Sequence, residues 1–104
     1  MSNMVRSDVI RPGGEGLSSL AGFFRVFADE TRILILCELS DGEKRVLDIA
    51  NSLGLSHSAV SHQLQMLRAQ RLVSFRKEGK NVWYCVADEH ILSMLRQGIR
   101  HVEH

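Results

Sequence analysis

Four side chains near the end of this 104-residue sequence could together bind a metal ion. Asp88 and His90 form an Asp-x-His pair, and His101 and His104 follow as a His-x-x-His pair. Three imidazoles and one carboxylate complete the tetrahedral donor set that Zn²⁺ takes in structural sites, leaving no coordination position for a substrate. The pattern therefore predicts a closed metal site and not a catalytic one.

One straight helix cannot bring these four residues together. His90 and His101 share a helix face at about 100° per residue, but a rise of about 1.5 Å per residue separates them by about 16 Å. Zn–N bonds are only about 2 Å long. If two antiparallel copies of the helix cross near Leu95–Gly98, Asp88 and His90 of one copy lie beside His101 and His104 of the other. We therefore expect two equivalent sites in a two-fold symmetric dimer.

Three of these four residues also have an ordinary structural interpretation. Asp88 is a favourable helix N-cap, and one carboxylate oxygen could cap the helix while the other binds metal. His101 and His104 could instead form a solvated, frayed helix end. The spacing by itself leaves these interpretations open beside the metal site.

A second group of polar side chains predicts a DNA-binding surface. When Val60, Leu64 and Leu67 face the core, a helix over residues 57–70 exposes short hydrogen-bonding groups without a carboxylate. These groups are His57, Ser58, Ser61, His62 and Gln65. Such a face can enter the major groove of double-stranded DNA and contact base edges without repelling phosphates. The flanking cations, which we expect to bind phosphate, are Arg68, Arg76, Lys77 and Lys80.

The charge distribution favours the same surface. The net charge is only +1, but residues 56–87 carry five basic side chains and one acidic side chain. An anionic partner should therefore meet this segment. A solvated helix face beside an ordinary hairpin would explain the same charges. Catalysis by the Ser and His residues is disfavoured because the segment lacks an orienting carboxylate and a Gly-flanked nucleophile, so we expect no enzyme activity.

The elements that must position these residues follow from periodicity and turn residues. Residues 1–16 contain Pro12-Gly13-Gly14 and are predicted to be a flexible arm, and residues 17–104 a single domain. Helical spacing predicts helices over residues 17–28 and 29–41. The side chains expected to be buried in the second helix are Ile33, Leu34, Leu36, Cys37 and Leu39.

The remaining elements complete a winged helix-turn-helix. A short helix over residues 45–53 leads through Gly54 to Ser56, an N-cap for the recognition helix over residues 57–70. β-rich runs at residues 72–76 and 82–86 predict a hairpin whose tip, residues 76–80, is the wing. Asp88 then begins a last helix that ends near residue 103. The fold class is mainly α with a β-hairpin wing (α+β).

Composition excludes several other classes. Hydrophobic residues make up 44% of the sequence, but no apolar run approaches the roughly 18 residues of a membrane span. The first sixteen residues lack a signal-peptide core, and a reducing cytoplasm fits best. Cys37 and Cys85 match no zinc ribbon or redox motif, and we interpret them as small buried hydrophobic residues.

Two longer stretches resemble a known family. FADETRILILCELSDGE, followed by LDIANSLGLSHSAVSHQLQMLRAQRLVSFRKEGKNVWYCVADEH, is similar to the ArsR/SmtB family of bacterial metal-responsive repressors. The resemblance covers about residues 17–104. It implies a homodimer in which each recognition helix and wing contacts one half of an operator. It also implies that the first and last helices form the dimer interface.

The resemblance extends to the metal residues. Asp-x-His, ten residues and then His-x-x-His is the interfacial pattern of zinc-sensing and of cobalt- or nickel-sensing relatives, and Asp88, His90, His101 and His104 match it. Many relatives also carry a Cys-x-Cys pair for arsenite, cadmium or lead before the recognition helix. Arg45 and Leu47 stand at those two positions here, so that thiolate site cannot form.

These observations together predict a repressor that Zn(II) releases from DNA. That Zn(II) weakens DNA binding, and does not strengthen it, is implied by the resemblance. The second ring nitrogen of His101 could connect the metal to DNA binding by a hydrogen bond to the backbone of the recognition helix near His62. Co(II) or Ni(II) is an alternative effector, although the arm contains no His as an extra ligand. A redox signal at the cysteines and a zinc-stabilised dimer without a regulatory role are further alternatives.

Overall fold

The structure, a computed structural model, describes residues 9–104, so the first eight residues of the predicted arm lie outside it. Four helices precede a β-hairpin, and a fifth helix follows it. The elements are α1 (Gly16–Val26), α2 (Glu30–Glu38), α3 (Val46–Leu53), α4 (His57–Ala69), β1 (Val73–Glu78), β2 (Asn81–Val86) and α5 (Glu89–Val102). A single 3-10 turn at Leu39–Asp41 extends α2. This order confirms the predicted winged helix-turn-helix.

Three of the helices begin at side chains that the sequence predicts as their starts. The Asp29 carboxylate accepts a hydrogen bond from the backbone N–H of Arg32 at the start of α2. Ser56 Oγ accepts one from the N–H of Ala59 at the start of α4. Asp88 accepts two at the start of α5. Each cap satisfies N–H groups that have no partner inside the helix.

The core lies between α2, α3, α4 and the hairpin. Val60, Leu64 and Leu67 are fully buried on the inner face of α4, as predicted. They pack in one cluster with Ile35 and Ile49 from the two preceding helices. Because one face of α4 is fixed in this way, its opposite face is fixed toward solvent.

The prediction for α2 was partly wrong. Leu34 was expected to be buried but is 51% exposed, whereas its neighbour Ile35 is fully buried. Leu36 and Leu39 are buried as expected, and Ile33 and Cys37 are only half-buried. In a run of consecutive apolar residues, periodicity does not settle which of two neighbours faces the core. The packing against α4 settles it here.

The hairpin is joined by a two-residue turn and extended by a third segment. Glu78 pairs with Asn81, and Gly79 adopts a positive φ of 61° in the turn. On the other edge of β2, Lys44 and Tyr84 exchange two backbone hydrogen bonds of 3.0 and 2.8 Å. Lys44, just before α3, therefore forms an isolated β-bridge to the hairpin. This pairing was not predicted from the sequence.

The apolar faces of α1 and α5 remain largely uncovered in one chain. Ile91 is the one residue of α5 that is fully buried, and Val102 is 77% exposed. On α1, Leu17 and Phe24 are also exposed. Among residues 9–104, no helix has the length and apolar character needed to cross a membrane.

Candidate DNA interface and metal centre

The outer face of α4 carries the side chains that were predicted to contact DNA bases. His57, Ser58, His62 and Gln65 are exposed, and Ser61 is half-buried. The sequence of α4, HSAVSHQLQMLRA, contains no carboxylate. The face therefore offers hydroxyl, imidazole and amide groups to a groove, and nothing on it repels phosphate.

Arg32 connects the end of α1 to α4. Its Nε donates to the carbonyl oxygen of Val26 at the end of α1 (2.9 Å), and its Nη1 donates to Gln63 Oε1 on α4 (3.3 Å). The same Nη1 also contacts Met66 Sδ at 3.5 Å. One guanidinium thus joins the C-terminal end of α1 to the recognition helix. This contact could not be predicted from the sequence, because its partners lie up to 34 residues away from Arg32.

Three of the four predicted phosphate ligands are available at the surface. Lys77 and Lys80 are exposed on the wing, and neither forms an ion pair with any residue from 9 to 104. Arg68 lies near the end of α4 with its guanidinium carbon 4.1 Å from the ring centroid of Phe75. Stacking on an aromatic face leaves the guanidinium edge able to donate hydrogen bonds.

The fourth predicted phosphate ligand, Arg76, is already paired. Its Nε and Nη2 donate to the two carboxylate oxygens of Glu43 at 2.8 and 2.9 Å. A second carboxylate, that of Glu78, lies 3.7 Å from its Nη1. The hydrogen bonds from Arg76 lower the pKa of Glu43, and the same hydrogen bonds raise the pKa of Arg76. Arg76 therefore differs from Lys77 and Lys80, because its guanidinium is already paired with a carboxylate.

A tryptophan and a second arginine adjoin this pair. The guanidinium carbons of Arg45 and Arg76 lie 5.3 and 5.9 Å from the ring centroid of Trp83. Arg45 in turn donates two side-chain hydrogen bonds, each of 3.1 Å, to Asp48 in the first turn of α3. Its backbone N–H also donates to Asp48 Oδ2 at 3.0 Å, so the same carboxylate binds both the backbone and the side chain of Arg45. This cluster was not predicted from the sequence.

The Asp-x-His pair lies at the start of α5 in an open arrangement. Asp88 Oδ1 accepts from the backbone N–H of His90 at 2.8 Å and lies 3.2 Å from His90 Nδ1. Asp88 Oδ2 accepts no hydrogen bond from the described residues. The side chain of His90 is 93% exposed. One oxygen of Asp88 thus caps the helix, and the other is open to solvent together with His90.

The His-x-x-His pair lies at the opposite end of α5. His101 and His104 are exposed and, with Gln97 and Arg100, line a shallow surface depression. Across residues 9–104 of one chain, no three His, Cys, Asp or Glu side chains come close enough to hold a metal ion. The donor chemistry suits Zn²⁺, with two donors at each end of α5. A complete set requires the two ends to meet, which a single chain does not achieve.

An apolar groove connects α5 with α1 and α2. Its lining residues, which include the exposed Phe24 and Val102, are Phe24, Phe27, Ile33, Met94, Leu95, Gly98, Ile99 and Val102. A Cβ atom added at Gly98 would meet no other atom within 4 Å, so the backbone is open to close approach at this point. The groove has the character of a surface that another apolar face covers.

The two cysteines are separate free thiols on different elements. Cys37 lies on α2 and Cys85 on β2, and both are half-buried. Burial raises the pKa of the Cys37 thiol. Cys85 Sγ lies 3.3 Å from Ser74 Oγ on the neighbouring strand.

Comparison with known proteins adds the family context. The model of the arsR family of bacterial regulatory proteins matches residues 29–74. A transcriptional repressor SmtB homolog from Synechocystis sp. is 42% identical over 84 residues, which is 81% of this chain and 64% of that protein's length. A cadmium resistance transcriptional regulatory protein CadC homolog from Staphylococcus aureus is 36% identical over 83 residues, covering 79% of this chain and 69% of the relative.

A solved structure supports the fold directly. The homodimeric winged helix-turn-helix DNA-binding domain from Mycobacterium bovis superposes with a TM-score of 0.81 at 26% identity. The match covers 91% of this chain and 90% of that one. It includes both the helix-turn-helix and the helices outside it.

Proposed function

Because the chain belongs to the ArsR family of bacterial regulatory proteins, we propose that it is a metal-responsive transcriptional repressor that binds operator DNA as a homodimer. The family consists of DNA-binding transcriptional regulators and not of enzymes, as the sequence predicted. The finer proposal is that Zn(II), bound between the two subunits, releases the protein from its operator.

The observation that carries the DNA-binding proposal is the outer face of α4. Its inner face is fully buried, so its polar groups have one orientation, and no carboxylate interrupts them. We assign base contacts to His57, Ser58, Ser61, His62 and Gln65. Phosphate contacts fall to Arg68, Lys77 and Lys80, which follow this face at the end of α4 and on the wing.

Dimerisation follows from the groove between α1, α2 and α5. An apolar surface of this kind is stabilised when a second copy covers it, because apolar area is removed from water. A two-fold axis near Gly98 would place the start of one α5 beside the end of the other. The homodimeric state of the structural relative from Mycobacterium bovis supports dimerisation.

The donor set supports the metal proposal. Asp88 and His90 of one subunit, together with His101 and His104 of the partner, supply one carboxylate and three imidazoles. These four residues would hold Zn²⁺ as a closed set of donors, and the bound ion would link the two α5 helices. The open Asp88 Oδ2 and the exposed imidazoles fit this role, since ligation leaves the helix cap through Oδ1 intact. The second ring nitrogen of His101 remains able to donate a hydrogen bond toward the α4 backbone near His62.

A DNA-binding titration with and without metal tests the proposal. Operators are first selected from random duplexes, and the affinity of the dimer is then measured at several salt concentrations. We expect a palindromic site and a steep loss of affinity with salt. Zn²⁺ should weaken binding by about 5- to 150-fold.

Parallel titrations separate the alternative effectors. A larger effect of Co²⁺ or Ni²⁺ than of Zn²⁺ would reassign the metal, and an effect of oxidant that is lost in Cys37→Ser or Cys85→Ser would indicate a redox signal. A dimer that binds Zn²⁺ without selecting DNA would instead be a zinc-stabilised structural protein. Such a result would contradict the proposed function.

A further inference from the structure

We propose that Arg76 is a positioning residue that fixes the hairpin against the helix-turn-helix through Glu43, and that it is not a phosphate ligand. The proposal rests on the proposed DNA-binding function. It separates Arg76 from Lys77 and Lys80, which are its neighbours on the wing and which sequence reasoning places in the same class.

The strand pairing places three large side chains in one row. Arg76 is paired with Trp83 between β1 and β2. Lys44 is paired with Tyr84 in an antiparallel bridge, which puts Arg45 opposite Trp83 on the other edge of β2. Residues that are directly opposite in neighbouring strands share a sheet face. Arg45, Trp83 and Arg76 therefore form a cation–aromatic–cation row, in agreement with the two ring distances of 5.3 and 5.9 Å.

Each end of this row is held by a carboxylate of the helix-turn-helix. Asp48, in the first turn of α3, accepts two side-chain hydrogen bonds from Arg45. Glu43, in the loop before α3, accepts two from Arg76. The hairpin is thus joined to the loop and first turn of α3 by one continuous set of contacts. Bidentate pairs of this kind fix orientation as well as distance.

The same contacts argue against a phosphate-binding role for Arg76. To reach a phosphate, its guanidinium would give up two charge-assisted hydrogen bonds and its contact with Trp83. It would also leave the Glu43 carboxylate without its partner beside an anionic duplex, where like charges repel. Lys77 and Lys80 form no ion pair with a described residue and can bind phosphate without such a loss. The wing then follows α3 as a rigid unit because Arg76 stays with Glu43.

Salt dependence of DNA binding distinguishes the two roles. The variants are Arg76→Gln and, as the matched phosphate-ligand control, Lys77→Gln. We expect Arg76→Gln to lower the affinity ratio of operator over random duplex by up to about fivefold, with an unchanged slope of log affinity against log salt. Lys77→Gln should instead reduce that slope by about 1 and weaken both duplexes alike. A slope reduced by about 1 in Arg76→Gln would overturn the proposal.

A charge swap gives a second, independent result. In the double variant Glu43→Arg with Arg76→Glu, the ion pair is kept and reversed, so we expect most of the lost operator preference to return. If Arg76 bound phosphate, the swap would place a carboxylate against DNA and abolish binding. Should the swap fail to fold by circular dichroism, the salt slope of Arg76→Gln decides alone.

Fluorescence of Trp83 tests the contact set without DNA. Trp83 is the single tryptophan of the chain, and its Nε1 is buried without a partner among the described residues. Acrylamide quenching should rise in Glu43→Gln and Arg76→Gln and stay unchanged in Lys77→Gln. Equal quenching in all variants would overturn the positioning role. If the wild-type chain bound no DNA, the proposed function would fail, and this quenching pattern would still report whether the pair holds the hairpin.

Discussion

Two regions of the molecule differ in how far their apolar faces are buried and their charged groups paired within one chain. Around α3, α4 and the hairpin, apolar faces are buried and the charges near Trp83 are paired. On α1 and α5, apolar side chains remain exposed, and two pairs of metal donors lie at opposite ends of one helix. We call α3, α4 and the hairpin the DNA-reading half, and α1 and α5 the sensing half, after their proposed roles. The first buries its apolar faces within one chain, whereas the second leaves apolar side chains exposed.

This difference explains how one small chain can be a regulator. If the dimer interface and the metal site share α5, occupancy of the site acts on how the two subunits are arranged and not on the fold of either. Each recognition helix then stays intact while the separation between the two changes. Arg32 is a direct contact between the two halves, because it joins the end of α1 to α4.

The largest expected effect is a loss of stability in the half formed by α3, α4 and the hairpin. Leu64→Ala removes a fully buried side chain from the centre of the core and should lower the free energy of unfolding by about 2–5 kcal/mol. Val102→Ala, on the exposed end of α5, is the matched control and should change the unfolding of the monomer little. Urea denaturation at low protein concentration measures both. Similar losses in the two variants would remove the distinction between the halves.

Metal response should disappear when the sensing half loses a donor. His101→Ala should abolish the expected 5- to 150-fold effect of Zn²⁺, equivalent to about 1–3 kcal/mol of coupling, and leave DNA binding without metal nearly intact. His90→Ala should behave in the same way, because it removes a donor from the other end of α5. Gln97→Ala, a neighbour of His101 in the surface depression, serves as control. A His101→Ala dimer that still leaves its operator at the same Zn²⁺ concentration would contradict the site.

Base and phosphate contacts should separate within the DNA-reading half. Ser61→Ala or His62→Ala should weaken operator binding by about 1–3 kcal/mol while random DNA is bound as before. Lys80→Ala should weaken both and lower the salt slope by about 1. Competition titrations with operator and random duplexes measure the ratio. Equal losses on the two duplexes for Ser61→Ala and His62→Ala would argue against direct base contacts.

Dimerisation should depend on α5 and not on α3. Ile99→Asp places a charge on the apolar groove and should shift the protein toward monomer in sedimentation equilibrium, because a charge buried without a partner is unfavourable. Leu47→Asp puts the same charge on a comparably exposed residue of α3 and should leave the dimer unchanged. Helix content should be the same in both variants. If Leu47→Asp dissociates the dimer and Ile99→Asp does not, the interface lies elsewhere.

The smallest expected effect is a pH dependence near the start of α3. Hydrogen bonds from Arg45 hold the pKa of Asp48 below its ordinary value. A depressed carboxyl pKa stabilises the fold above the unfolded pKa of about 3.9, and that stability is lost as the pH falls through the folded pKa. The melting temperature should therefore decrease as the pH is lowered below about 4, and this decrease should be smaller in Asp48→Asn. If the melting temperatures of the wild type and of Asp48→Asn decreased equally with pH, a stabilising role for the Arg45–Asp48 pair would be contradicted.

Local features of the fold could be predicted from the sequence because neighbouring residues determine them. Asp29, Ser56 and Asp88 cap helices through backbone groups two or three residues away. The inner face of α4 follows from a spacing of three and four residues. The burial of Ile35 and not Leu34 could not be predicted, since both lie in one apolar run and only packing against α4 distinguishes them.

The wing shows the same limit for the candidate site. Arg76 looks like any basic wing residue in the sequence, because its partner Glu43 lies 33 positions earlier and meets it only through the folded sheet. The metal residues are a different case. Their spacing on α5 is visible in the sequence. A complete donor set would need residues from two subunits, so the metal site remains a prediction.

Measuring the Zn²⁺ affinity of the free dimer and of the operator-bound dimer tests most directly the claim that the sensing half acts on the DNA-reading half. Coupling between two binding sites is reciprocal, so operator DNA must weaken Zn²⁺ binding by the factor by which Zn²⁺ weakens operator binding. We predict a loss of about 5- to 150-fold in Zn²⁺ affinity on DNA. Equal affinities would show that the metal is only structural, and tighter binding on DNA would make the protein a metal-activated repressor.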